Sequence, residues 1–485
     1  MSKISVCFVH TNEPQLRHLL SRLEVAQTSR MPDPGEYDVI VQWGAFLQER
    51  SGQRLLQPVQ SVLRAQDRKR TEELLALHGI ACELDSGQRN DNYRYMYRVP
   101  VFHLEALTVY LKKSDVLLAP RPSVHSQKGG AFAELGPDAS GYHVNRAKRE
   151  AVKAIYALGL DYGIVTVGIE DAKSPVRVLQ VEAVPDLDER LAELFAAAIV
   201  RYEQGLEKEA YLQGTPVKLG MDPEFVLRDA SGEIVFADRF MDKDGRVGCD
   251  SLILPDLRKI FPLAELRPSP SEDVRQLVIN LQKTMRLAAG KITDPHLEWL
   301  AGGMPVPGFP LGGHIHFSSV WMNVHLVRAL DNYVALPLVL LEDVSTRGRR
   351  PQYGCLGDVR RKSYGGFEYR TLPSWILSPT VTKGVLALAK LVATHYLELS
   401  RQPLQNVDIQ TFYYTGDKKQ LRSTVTLLLK DIRETSSYPQ YEKYLQPFKE
   451  LLLRMEPWKE QEDFRKRWKI RTASEDRGAS YQIMV

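Results

Sequence analysis

Five short segments between positions 222 and 370 carry side chains that can do chemistry. They are Asp222-Pro223-Glu224, Glu265-Leu266-Arg267, His314-Ile315-His316, an arginine-rich run over 347–361, and Glu368-Tyr369-Arg370. Carboxylates and imidazoles ligate divalent metals, and guanidinium groups bind phosphate through two parallel hydrogen bonds. The i, i+2 spacing recurs among these segments. On a β-strand that period sends both side chains to one face of the sheet, so metal ligands can be clustered on a rigid floor.

The segments differ in specificity. Taken alone, Asp222 and Glu224 read equally well as exposed acids on a solvated strand, and Glu265 with Arg267 as a surface ion pair. Pro223 lacks a ladder donor and predicts an edge or a bulge for its strand. The two histidines follow Gly312-Gly313 within an apolar stretch. This places both imidazoles in one cleft, the arrangement of a site more than of a structural histidine. Arg347, Arg349, Arg350, Arg360 and Arg361 are interrupted by Tyr353-Gly354 and Leu356-Gly357-Asp358. Glycines let backbone approach a phosphate closely, whereas the plain alternative is a solvated basic loop. Asp250 is a candidate further acid.

Elements must position these groups, and at 485 residues the chain is long enough for two or three domains. Strands and helices alternate from the start to about position 185. Strands are expected over 4–9, 37–42, 163–169 and 176–182, and helices over 13–27, 61–77 and 144–158, with Gly79 and Gly159 as caps. A helix over 187–211 leads to a linker at 213–216. The divisions expected are an α/β domain over 1–212, a catalytic domain over 215–396, helices over 397–471 packed on it, and a loose tail over 472–485. A net charge of +4, with bases and acids interleaved, does not suit nucleic acid. The four cysteines lack metal or disulfide spacing, and no apolar stretch is long enough to span a membrane. A reduced, cytoplasmic protein is expected.

In order, the five segments resemble glutamine synthetase and glutamate-cysteine ligase, and most closely the carboxylate-amine ligase type 2 proteins of bacteria and phages. The resemblance runs over about 215–379. It implies an α+β fold with a curved antiparallel sheet. Asp222, Glu224, Glu265, His314 and Glu368 would be metal ligands, with His316 against substrate or nucleotide. Arg350, Arg360, Arg361 and Arg370 would contact phosphate. ATP and magnesium or manganese would be the cofactors, and the reaction an amide synthesis through an acyl phosphate. Small-molecule, peptide or protein carboxylates and amines are the implied substrates, without nucleic acid or membrane partners; oligomeric state is left open. Glutamine synthetase carries more metal-binding acids and an ammonium pocket, neither of which is matched here.

The first 212 residues resemble the ATP-grasp superfamily, at 61–80, at 145–163 and at Leu179-Gln180-Val181-Glu182-Ala183-Val184-Pro185. There Ala183 stands where that family has a metal-binding Asn, which implies a degenerate domain. Lys128-Gly129-Gly130 reads as a remnant phosphate loop or an ordinary turn. Two other functions stay open: a metal-dependent hydrolase or oxygenase using His314, His316 and an acid, and a non-catalytic nucleotide-binding or scaffold protein.

Overall fold

The computed structural model describes residues 4–471 apart from 12, 45–53, 85–92, 114–131, 137–138, 172–173, 213 and 255–257. The expectations for Lys128-Gly129-Gly130 and for the tail over 472–485 therefore lie outside the described residues. The chain divides into two compact units, Met1–Gln213 and Gly214–Val485.

Apolar runs of the first unit form two sheets. Val6–His10 and Val39–Trp43, buried along their whole length, pair in parallel, flanked by Ala26–Thr28 and Leu55–Leu56. Parallel strands covered on both faces have this unbroken apolar character. The second sheet places Tyr162–Ile169 between Arg177–Glu182 and Tyr95–Phe102, all antiparallel. The helix Tyr142–Ala157 buries Ala147, Ala151 and Ala154 in the core, where small residues four and three apart allow close approach.

Two expected helices are corrected. The one over 61–77 is two helices, Val59–Gln66 and Arg68–Leu77, because Asp67 turns out to extended backbone and accepts from the Arg70 N–H as an N-cap. The one over 13–27 is a single 3-10 turn and one helical turn, Pro14–Leu16 and Arg17–Leu20, followed by the strand Ala26–Thr28.

The second unit is built on one antiparallel sheet. Its main path is β1 (Lys218–Arg228), β2 (Val247–Ile253), β3 (Lys259–Leu266), β4 (Gly313–Ser318), β5 (Val359–Arg361) and β6 (Phe367–Tyr369), in the order β2-β3-β1-β4-β6-β5, and the short strands Ile234–Val235 and Glu298–Leu300 also pair with β1. The chain is thus mixed α/β with an antiparallel sheet in this unit. Pro223 does not mark an edge, since β1 is central. Residues 218–223 pair with β4, whereas Glu224 and Phe225 pair with β3. Proline falls where the strand changes partner, so its missing donor coincides with a break in the ladder.

Three helices matter below: α1 (Val274–Lys291), α2 (Pro379–His395) and α3 (Tyr438–Arg454). Asp273 caps α1 by accepting from the Gln276 N–H, and Ser378 caps α2 by accepting from the Val381 N–H. Helix α2 is apolar nearly all round because α1 and α3 both pack on it. Gly384 faces α3, and a Cβ there would fall 2.2 Å from the Phe448 ring. Gly384→Ala is expected to lower stability by about 1–3 kcal/mol through overpacking, even though alanine is the better helix former by about 1 kcal/mol. A lowered denaturant midpoint with unchanged slope is the outcome to look for.

Residues beyond α3 return to the sheet. Phe464 sets its edge on Phe225 and Trp299. Glu460 is buried and accepts from the Gly303 and Met304 N–H groups, the Thr346 hydroxyl and the Trp458 indole at 2.7–3.0 Å. All four cysteines are free thiols. Among the described residues no helix is long and apolar enough to cross a membrane.

Candidate active site

Strand alternation sorts the central sheet by chemistry. Asp222 lies opposite His314, His316 opposite Glu368, Arg360 opposite Glu368, and Glu224 opposite Glu265. Directly opposed residues share a face, so these side chains all project to one side. The intervening Leu219, Met221, Phe225, Ile315, Phe317, Phe367 and Tyr369 project to the other and are buried.

The acids are not solvated: Asp222, Glu224, Glu265 and Glu368 are all buried. His316 Nε2 lies 2.9 Å from Asp222 Oδ2, and His314 Nδ1 lies 3.2 Å from Asp222 Oδ1 and 3.4 Å from Glu368 Oε1. Tyr364, from the β5–β6 turn, places its hydroxyl 3.3 Å from His316 Nδ1. Potential ligand atoms of Asp222, His316 and Glu368 all lie within 4.8 Å of one another. The resemblance had placed His314 on the metal and His316 on substrate; by geometry both imidazoles border the same acids.

Around this centre the site has two electrical halves. On one side the acids crowd each other. Burial raises the Glu224 carboxyl to about 7, with His314 opposing the shift and Asp250 adding to it. Burial, then Asp222, raises Glu265 to about 8 against the pull of Arg267, which it touches. Asp250 is thus electrostatically part of the cluster. The Asp222 carboxyl is held well below its usual range, since burial is outweighed by His314 and His316. His314 is raised to about 9: burial disfavours its charge, but Asp222 and Glu224 favour it more. The Gly312 N–H donates to Glu224 Oε2 at 2.6 Å.

On the other side cations converge on Glu368. Arg360 Nη2 is 2.6 Å from Oε2, Lys362 touches the same oxygen, and Arg370 Nε is 3.2 Å from Oε1. Arg370 Nη1 is also 3.6 Å from Asp358 Oδ1. Burial would raise the Glu368 carboxyl, yet its pKa is lowered because His314, Lys362 and Arg360 outweigh it. Lys362 escaped the sequence reading, although it continues the i, i+2 period from Arg360 and stands just before the hairpin turn.

The arginine run does not act as one loop. Arg349 donates to the Thr371 and Leu372 carbonyls. Arg350 is buried, with both terminal nitrogens on the Glu342 carboxylate at 3.0 and 2.6 Å and its guanidinium 4.6 Å from the centre of the Tyr413 ring. It is committed to the interior and not brought to the cluster. Arg361 pairs opposite Phe367, on the reverse face from Glu368. Of the four expected phosphate arginines, Arg360 and Arg370 are brought to the site.

Residues 219–470 match the phage phiEco32-like COOH.NH2 ligase-type 2 family, over half of the chain. The chain belongs to that family. The matched region of this type 2 ligase spans every site segment described above. No curated protein matches it. Among solved structures it is similar to the ATP-grasp ligase PsnB with its minimal precursor, at 12% identity over 40% of this chain and 99% of that one, with a TM-score of 0.27. It is also similar to a bifunctional glutathione synthetase from Pasteurella multocida, at 11% identity over 53% and 50% of the two chains, with a TM-score of 0.34. The D-alanine–D-alanine ligase of Bacillus anthracis shares 10% identity over 42% and 98%, with a TM-score of 0.29. Likenesses this slight carry neither fold nor activity across.

Proposed function

We propose that this ligase family member joins a carboxylate to an amine with ATP, through an acyl phosphate, at the β1–β3–β4–β6 floor of its second unit. The observation that carries the reading is the juxtaposition of an acidic half, around Asp222, Glu224 and Glu265, with a cationic half, around Arg360, Lys362 and Arg370. A divalent cation suits the first and a phosphoryl group the second.

The residues fit a metal. Asp222 Oδ1 and Glu368 Oε1 are buried and accept no hydrogen bond of good geometry; His314 and Arg370 at 3.2–3.4 Å offset their charge, and their lone pairs stay open to a metal ion. Asp222, Glu224, Glu265, Glu368 and the two imidazoles are the groups to hold magnesium or manganese; such an ion neutralises charge on the β- and γ-phosphates. Arg360, Lys362 and Arg370 then orient the γ-phosphate and offset the charge of its transfer. Transfer to the substrate carboxylate forms a C–O–P linkage and releases ADP. The amine nitrogen attacks the acyl carbon, phosphate leaves in place of the far poorer leaving group hydroxide, and the nitrogen loses its proton.

We place the chemistry in the second unit and take the first as a degenerate ATP-grasp-like domain. Glu182 is paired with Arg98 at 3.1 Å, and Ala183 offers no side-chain oxygen. A glutamine synthetase-like ancestry for the second unit is part of the same proposal. Hydrolysis of a neutral substrate would leave the three cations at Glu368 without a role.

Nucleotide dependence tests the reading. With saturating ATP and magnesium together the melting temperature is expected to rise, by the equivalent of about 2.7 kcal/mol at a hundredfold excess over Kd, and ADP should form when carboxylate and amine are both supplied. A rise with zinc or iron alone, and none with magnesium and ATP, would instead favour a hydrolase or oxygenase.

A further inference from the structure

A hollow of about 350 Å³ opens between α1, α2 and α3, lined by Arg275, Thr380, Lys383, Lys443, Tyr444 and Pro447. None of these belongs to the acid and cation cluster on the sheet. Three of the six are cations and none is an acid. Helical spacing brings them together: Thr380 and Lys383 are three apart on α2, and Lys443 and Pro447 four apart on α3. None of the three cations has a carboxylate in ion-pair contact among the described residues, and Lys443 lies over the Tyr444 ring at 5.0 Å.

The neighbouring hollow shows the contrast. It shares Thr380 and Pro447 but contains Glu450 beside Arg454 and Arg467, and Arg467 is 3.2 Å from Glu462. In the first hollow three cations line the walls and no acid does. Lys383 is half-buried, and its pKa is depressed by burial and then by Arg275 and Lys443. An arrangement that weakens the unliganded protein in this way is typical of a site whose charge is completed by a ligand.

We propose that the hollow between α1, α2 and α3 binds a small polyanion, carrying two or more charges on phosphate or carboxylate groups, at a site separate from the catalytic cluster. Arg275 supplies a planar donor pair for one oxyanion, and Lys383 and Lys443 supply point charges for the other. The volume lies within the range of small-ligand pockets.

Calorimetric titration of the full chain with inorganic pyrophosphate tests this, in metal-free buffer of fixed ionic strength. Saturable one-site binding is expected, weakened at least tenfold by Lys383→Met and by Arg275→Gln. Without ligand, Lys383→Met should raise the melting temperature by roughly 1–3 °C, since a repelling charge has been removed. Absence of saturable binding by the wild-type chain, or equally tight binding by both variants, overturns the site. So does loss of binding accompanied by a lowered melting temperature in both variants, the mark of structural residues. Repeating the titration with citrate separates the sources: whichever polyanion binds, and is lost in the variants, names the chemistry the site takes.

Discussion

Glu368→Gln is expected to lower ATP turnover at least a thousandfold, equivalent to roughly 4 kcal/mol of transition-state stabilisation. Glu368 is fully buried at the meeting of the two halves of the site. One oxygen faces Arg360 and Lys362, while the other lies by Arg370 and His314. The amide keeps the shape of the side chain and removes its charge, so a proposed metal ligand is lost while three cations lose their common partner. Steady-state ADP release measures the first effect. The magnesium-dependent part of the nucleotide melting shift should vanish with it. Full turnover by this variant would remove Glu368 from the catalytic machinery, whatever the fate of the fold.

Arg350→Met should act in the opposite way, through stability. Its ion pair with Glu342 has side-chain exposures of 1% and 4%. Removing one partner leaves an uncompensated buried charge on Glu342, for which a loss of about 3–5 kcal/mol is expected. The double variant Arg350→Met with Glu342→Leu should recover much of that loss, because both charges are gone. Urea unfolding of the wild type, both single variants and the double variant closes the cycle. If Arg350→Met unfolds like the wild type but has a raised KM for ATP, the arginine contacts phosphate after all and its burial is misleading.

These two residues show how far residue types and spacing can carry a reading. Glu368 was legible because strand alternation is a local property: the i, i+2 period determines which neighbours share a face before any partner strand is known. The same rule would have found Lys362, two positions beyond Arg360, had it been followed to the hairpin turn. Arg350 was illegible because its partner lies eight residues earlier, and its burial depends on helices that arrive from the C-terminal end of the chain. An arginine facing a phosphate and one facing a buried glutamate look alike in a sequence.

Pro223 makes the same point for the backbone. A missing N–H predicts a break in a ladder, and a break is present, but an edge is only one way to make one. That β1 is central and exchanges β4 for β3 and Glu298–Leu300 along its length follows from where those strands lie. Likewise Asp67 caps the second of two helices, where the amphipathic period over 61–77 had predicted one.

Sequence by itself determined the chemistry on offer: acids, imidazoles and guanidiniums in a two-residue period, with apolar residues between them, which is enough to specify a one-faced strand floor. Tertiary structure decided which of those groups meet. Strand register set Asp222 by His314, and His316 and Arg360 by Glu368. Helix packing withdrew Arg350 into the interior and gathered Arg275, Lys383 and Lys443 from three separate helices. The reason is range: alternation acts between neighbours in the chain, whereas register and helix packing depend on contacts between residues tens to hundreds of positions apart.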